Sequence, residues 1–176
     1  MYKRQLLDRS HRLGADPRNT NYAGGNTSTK GFATDPLTGG QVEVMWVKGS
    51  GGDLATLTEK GLAVLRLDRL RELVAVYPGE QREDEMVAAF DFCLHGKGGA
   101  APSIDTAMHG LVEAKHVDHL HPDAGIAFAT AADGEALTKA CFGAVSYTHL
   151  PDKLSPDIEL RAAQDRAEPS TARHDP

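Results

Sequence analysis

Apolar residues along this chain change their spacing several times, and each change predicts an element. In LLDRSHRLGADPRN, Leu6, Leu7 and Leu13 recur at helical intervals, which predicts a helix leaving at Gly14. From Thr20 to Leu54 the pattern is that of strands. GNTSTKGFA and QVEVMWVKG are β-rich runs around the turn DPLTGG, and LAVLRLD reads as a further short strand. RLRELVAVYP predicts a helix stopped at Pro78. REDEMVAAFDFCLH predicts a second, with acids in its first turn to suit the dipole and Gly96 after it. PSIDTAMHGLVEAK predicts a third, with Pro102 and Ser103 at its start. HVDHLHP is a short strand, followed by DAGIAFATA. DGEALTKACFG is a last helix, with Asp133 as N-cap and Gly143 beyond its end. Strands and helices mix without a regular β-α-β rhythm, so the fold class is α/β, a layered domain with a mostly antiparallel sheet.

Composition narrows the function classes. The 176 residues, 40% hydrophobic and 25% charged, suffice for one domain with a sizeable core. A net charge of -6 gives no general attraction to nucleic acid or anionic membrane, so neither is expected as a partner. No apolar run is long enough to span a bilayer, and the start lacks a secretory pattern. Cys93 and Cys141 lie outside any CxxC pair and form no disulfide framework. Both read as small buried apolar residues, and the cytoplasm is the expected compartment.

The two ends share a peculiarity. Codons GTG TAT AAG AGA CAG encode MYKRQ when GTG is the start, and their reverse complement, read one base off and slightly extended, encodes the VSYTHL of residues 145–150. Such an inverted repeat resembles a transposon end. Residues 6–143 are therefore expected to be the native stretch, and residues 1–5 artefactual. Residues 144–176 are expected to be non-native or disordered, being rich in charge, Pro and Ala. Codons that break the repeat in the coding DNA would overturn this.

Four groups of residues can carry chemistry. On a strand, His119 and His121 project from one face with Leu120 on the other, so both imidazoles can reach one cation. The same spacing also makes an ordinary polar sheet edge. His116 would face away, and His109 would sit on a helix, so neither is a convincing third ligand. AGGNTST and VKGSGGDL can bring backbone amides close to an anion, with Lys48 adding charge, or can simply form tight turns. Neither matches a nucleotide-binding loop. Asp105 near a helix start is either a carboxylate stabilised by the helix dipole or a general acid/base.

Taken in order, GGNTS, VKGSGGDL, PSIDTAMH and VDHLHPD resemble the class II aldolase/adducin N-terminal family over nearly all of residues 6–143. HRLGADPRNTNYAGGN and the stretch from Arg82 to Gly110 are most similar to a long subgroup. There the aldolase domain is fused to a short-chain dehydrogenase and acts on rhamnulose 1-phosphate. The resemblance implies a layered α/β/α domain, C-terminally incomplete here. It implies that His119 and His121 are a zinc pair and that Asp105 is a catalytic acid/base, one methylene shorter than the glutamate of short family members. It also implies that Gly25, Asn26, Ser50, Gly51 and Ser103 bind the substrate phosphate, with Ile104 departing from a second serine.

The family's third zinc histidine lies in a downstream glycine-flanked loop that has no counterpart here, and His149 and His174 fall in the tail. The implied activity is zinc-dependent retro-aldol cleavage of a ketose 1-phosphate, giving dihydroxyacetone phosphate and an aldehyde. The intact parent is expected to be a homo-tetramer, and the 176-residue chain to be inactive. A sugar-phosphate epimerase or dehydratase is the alternative within the family, and a non-catalytic adducin-like interaction domain the alternative outside enzymes.

Overall fold

In the computed structural model, which describes residues 2–143 apart from Ala23 and Gly98, helix α1 (Tyr2–Gly14) buries Leu6, Ser10 and Gly14. Their i, i+4 spacing is the inward stripe of a helix. A Cβ on Gly14 would lie 2.8 Å from the Leu54 carbonyl carbon, so the helix end packs backbone to backbone on the turn at Leu54–Thr56. Pro17 cannot continue the α1 ladder. It opens the short helix α2 (Pro17–Thr20), whose start is capped by the Asp16 carboxylate accepting from the Arg18 amide at 3.0 Å. The helix leaves at Gly14 as expected, but it begins at Tyr2, whose ring stacks on Trp46 at 6.0 Å, and a second short helix follows it.

Strands β1 (Asn26–Thr34), β2 (Gln41–Lys48), β3 (Leu62–Arg66) and β4 (His116–His119) form one sheet in the order β3-β2-β1-β4, antiparallel throughout. Thr34 pairs with Gln41 to close the first hairpin. Asp35 organises its turn, accepting from the amides of Leu37 at 2.9 Å and Thr38 at 3.0 Å and from Arg66 at 2.9 Å. Those amides, and then the guanidinium, hold the Asp35 carboxyl below its ordinary range.

The period-2 pattern divides the core between two faces. Val44 and Trp46 of β2 join Leu62 of β3 with Leu6, Leu54 and Leu57 on the α1 face. Met45, Val47, Ala63 and Leu65 face the other way, against Leu67, Leu70, Phe90 and Cys93. Helices α3 (Leu67–Glu72), α4 (Glu83–Ala89) and α5 (Thr106–Leu111) supply that second layer, with Leu73, Met86, Val87 and Ala107 packed against the cluster. At Gly110 a Cβ would overlap Leu70, so α5 sits tightly on α3. Covered on both faces, the sheet is the middle of an α/β/α stack.

β1 is polar yet buried from Asn26 to Gly31. Pairing makes this tolerable. The hydroxyl of Thr27 meets that of Ser10 at 2.7 Å, Ser28 meets His109 at 2.8 Å and Thr29 meets His116 at 2.7 Å. The Lys30 ammonium donates to the carbonyls of Val112 and, at 2.8 Å, Ala114. Arg9 fastens β4 to β1, donating to Asp118 at 2.8 Å and to the Ser28 carbonyl at 2.5 Å.

Three expectations need correction. The helix expected from Pro102 to Lys115 is helical only over Thr106–Leu111, because Lys30 captures carbonyls at its end and the chain turns into β4. β4 stops at His119, so His121 lies just beyond the ladder, next to Pro122, which has no N–H to give. Cys93 is buried, but Cys141 is exposed.

The chain divides into two compact units, residues 1–123 and 124–176. At the boundary begins α6 (Asp123–Thr130), and the second unit contains α7 (Gly134–Phe142), with Phe128 and Phe142 edge to face at 5.7 Å. Met1 and the tail from Ala144 lie outside the described residues. No described helix is long and apolar enough to cross a membrane.

Candidate functional site

Antiparallel pairing makes β1 begin where β2 and β4 end. One end of the sheet therefore carries the loops on which most of the chemically promising residues lie. Asn26 is the first residue of β1 and pairs with His119, the last of β4. Only 2% exposed, it shares the α5 side of β1 with Ser28. Its amide Nδ2 donates to Ser103 Oγ at 3.0 Å and to Asp105 Oδ2 at 2.5 Å.

Asp105 stands at the N-cap position of α5 but makes no side-chain capping bond. Its carboxylate turns towards Asn26 and His119 instead, with Oδ1 3.6 Å from His119 Nδ1. The rings of His119 and His121 lie edge to face, 4.7 Å between centroids and 68° between planes. Leu120 packs on the opposite side, against the Leu6–Trp46 cluster. Although the strand ends early, the two imidazoles adjoin.

The second glycine loop comes in through backbone contacts. The Ser50 amide donates to the Ala101 carbonyl at 2.8 Å, and the Gly49 amide to Gly61 at 2.9 Å. A Cβ on Gly49 would lie 2.7 Å from the Ala101 oxygen, so this loop packs closely on the segment leading to Ser103. Gly51 and Gly52 have φ of +74° and +77°, conformations that favour glycine, and their Cα atoms face open space. Asn26, Ser103, Asp105, His119 and His121 thus form one cluster. Gly25 adjoins it through the chain, and Ser50 and Gly51 through Ala101.

Lys48, weighed in the sequence only as added charge, ends β2 beside this cluster. It is 5% exposed and makes no hydrogen bond or ion pair among the described residues. Burial lowers its pKa, and the fields of Asp105 and Asp53 oppose that shift. An ammonium without a protein partner has its donors free for an anion. The signal was its place immediately before Gly-Ser-Gly-Gly.

His109 and His116 are engaged elsewhere. His109 is fully buried with Nδ1 2.8 Å from Ser28 Oγ, and burial pushes its pKa down to about 4. His116 Nδ1 lies 3.1 Å from Arg9 Nη1 and 2.7 Å from Thr29 Oγ1. A guanidinium can only donate, so that nitrogen accepts and the ring is neutral.

Two adjoining imidazoles and a neighbouring carboxylate are the donor types that zinc takes. Among the described residues, no three His, Cys, Asp or Glu side chains close around one point. The donor chemistry fits zinc, and the set is partial.

The model of the class II aldolase and adducin N-terminal domain matches residues 4–169. The chain belongs to that family. Among solved structures, the N-terminal class II aldolase domain of a conserved protein from Thermoplasma acidophilum superimposes with a TM-score of 0.66 at 27% identity, covering 76% of this chain and 62% of that one. Among curated proteins, the uncharacterized oxidoreductase YuxG of Bacillus subtilis (strain 168) is 39% identical over 139 residues, 79% of this chain. The aligned stretch is only 20% of YuxG, so the chain spans about a fifth of that relative. Class II aldolases are lyases, typically metal-dependent and usually with zinc, which is consistent with the donor types clustered here.

Proposed function

We propose that the intact protein is a zinc-dependent class II aldolase that cleaves a ketose 1-phosphate such as rhamnulose 1-phosphate to dihydroxyacetone phosphate and an aldehyde. The observation that carries this reading is the Asn26 amide, which ties Ser103 and the Asp105 carboxylate together directly across from His119.

His119 and His121 would hold the zinc, with a further ligand from outside the described residues. When bound, the ion supplies Lewis-acid polarisation of the ketose carbonyl. The backbone amides around Gly25 and Gly51, the Ser50 and Ser103 hydroxyls and the Lys48 ammonium bind the phosphate and so fix the reacting carbons. The Asn26 amide holds Asp105 Oδ2, which leaves Oδ1 towards His119 to take a proton from the hydroxyl of the departing half as the C–C bond breaks. The same oxygen can return a proton to the carbon left behind.

YuxG is called an oxidoreductase, and the aligned part is a minor fraction of it. That supports a parent in which the aldolase domain is fused to a dehydrogenase, as in the rhamnulose-phosphate subgroup. We place the parent in the cytoplasm as a homo-tetramer. The test uses this chain and a version extended along its natural gene, each loaded with zinc and given a panel of ketose 1-phosphates while dihydroxyacetone phosphate is measured. Release by the extended protein with rhamnulose 1-phosphate, and none by the short chain, is expected. Epimerised or dehydrated product would favour the related family activities, and no turnover with any sugar phosphate would favour an adducin-like interaction domain.

A further inference from the structure

We propose that Gly24 is a positioning residue for the His121 imidazole, so that the first glycine of the Gly-Gly-Asn run serves the histidine pair and not the anion. The inference rests on the reading above of His119 and His121 as metal ligands. Three consecutive residues meet the histidine segment in antiparallel order. Asn26 pairs with His119 in the sheet. Gly25, with φ +87°, is so close to the next step that a Cβ would lie 2.7 Å from the His119 oxygen and 3.4 Å from Leu120 Cα. At Gly24 a Cβ would overlap His121 Nδ1 and fall 2.9 Å from its Cγ. The imidazole thus occupies the space that a side chain at position 24 would fill.

The amide of Gly24 is already committed. It donates to the Thr20 carbonyl at 2.6 Å, at the end of α2, and is not available to a phosphate. The same carbonyl would lie 2.6 Å from a Cβ, so residue 24 cannot retreat from the ring. α2 is itself fixed by the Asp16 cap and the burial of Thr20. His121 is an exposed residue, and its ring is confined by two surfaces, Gly24 on one side and the His119 ring on the other. A methyl at position 24 would need the ring to move by about 1 Å to restore ordinary carbon contacts of about 3.5 Å. Metal–ligand distances hold to within about 0.2 Å, so an ion held by His119 would lose a ring displaced by that much.

The experiment uses the 176-residue chain, its Gly24→Ala variant, and Gly40→Ala as a control on an open turn where a Cβ meets only Thr38 Oγ1 at 3.5 Å. Contacts between the His119 and His121 rings are read by NMR without metal, and Zn2+ affinity by chelator competition. The expected result is loss of the ring–ring contacts and at least a tenfold weaker Zn2+ affinity in Gly24→Ala, with Gly40→Ala unchanged. Retention of both in Gly24→Ala overturns the proposal. If the unsubstituted 176-residue chain binds no Zn2+, its partial ligand set is too small to hold the ion, and the ring contacts alone decide the role of Gly24. Should Gly24→Ala fold poorly, the same change is made together with His121→Ala. Recovery of folding there supports the proposal, and equal damage in both backgrounds overturns it, because the clash would then be with Thr20 alone.

Discussion

Acidification from about pH 6.5 to about pH 4 is expected to cost the fold about 3 kcal/mol through His109 alone. The ring is fully buried between α5 and β1, with Nδ1 on the Ser28 hydroxyl at 2.8 Å. Burial lowers its pKa from 6.5 to about 4; the Asp105 field works against the shift, and His119, Lys30 and Arg9 add to it. Between those two values the unfolded chain takes up a proton that the folded chain refuses. Stability is therefore complete above about pH 6.5, declines by about 1.4 kcal/mol per pH unit as pH falls, and levels off below about pH 4. Urea unfolding of the wild type and His109→Phe across this range isolates the effect, because every other titrating group is shared. The variant leaves Ser28 without its partner, an offset of about 1–3 kcal/mol that does not change with pH. The two stability curves should converge as pH falls. Parallel curves, or an NMR titration midpoint for His109 near 6.5, would refute the argument.

Asp105→Asn should lower turnover of the extended protein by at least about 100-fold, with bound zinc, measured by atomic absorption, unchanged. Lys48→Met should raise KM for a ketose 1-phosphate by about tenfold or more, the size of one lost charge-assisted contact, and leave kcat for the unphosphorylated sugar unaffected. Leu65→Ala, at a fully buried position in the second core cluster, should cost about 2–5 kcal/mol in chemical denaturation.

The layered α/β class was legible because strand and helix periods differ and the turn DPLTGG separates two β-rich runs. The burial of β1 was not, since Asn26, Thr27, Ser28, Thr29 and Lys30 look like a solvent-facing run. Their partners Ser10, His109, His116 and the Ala114 carbonyl are distant in sequence. For the site, the HxH spacing suggested two parallel imidazoles on one strand; the rings lie 4.7 Å apart, but the strand ends one residue past the Asp118–Thr27 pair. Asp105 was ambiguous until its carboxylate was seen to leave the helix end for Asn26. The glycines of the first loop could be read only as room for an anion. Nothing local shows that the room at Gly24 is filled by a histidine 97 positions on.

In the proposed aldolase, His119 and His121, beside the Asn26–Ser103–Asp105 cluster, hold a zinc ion. An anomalous difference map at the zinc edge, from crystals of the extended protein, tests it most directly. A single strong peak is expected about 2.0–2.1 Å from a nitrogen of each imidazole, within reach of Asp105. A peak at other residues, or none at that end of the sheet in zinc-replete crystals, would contradict it.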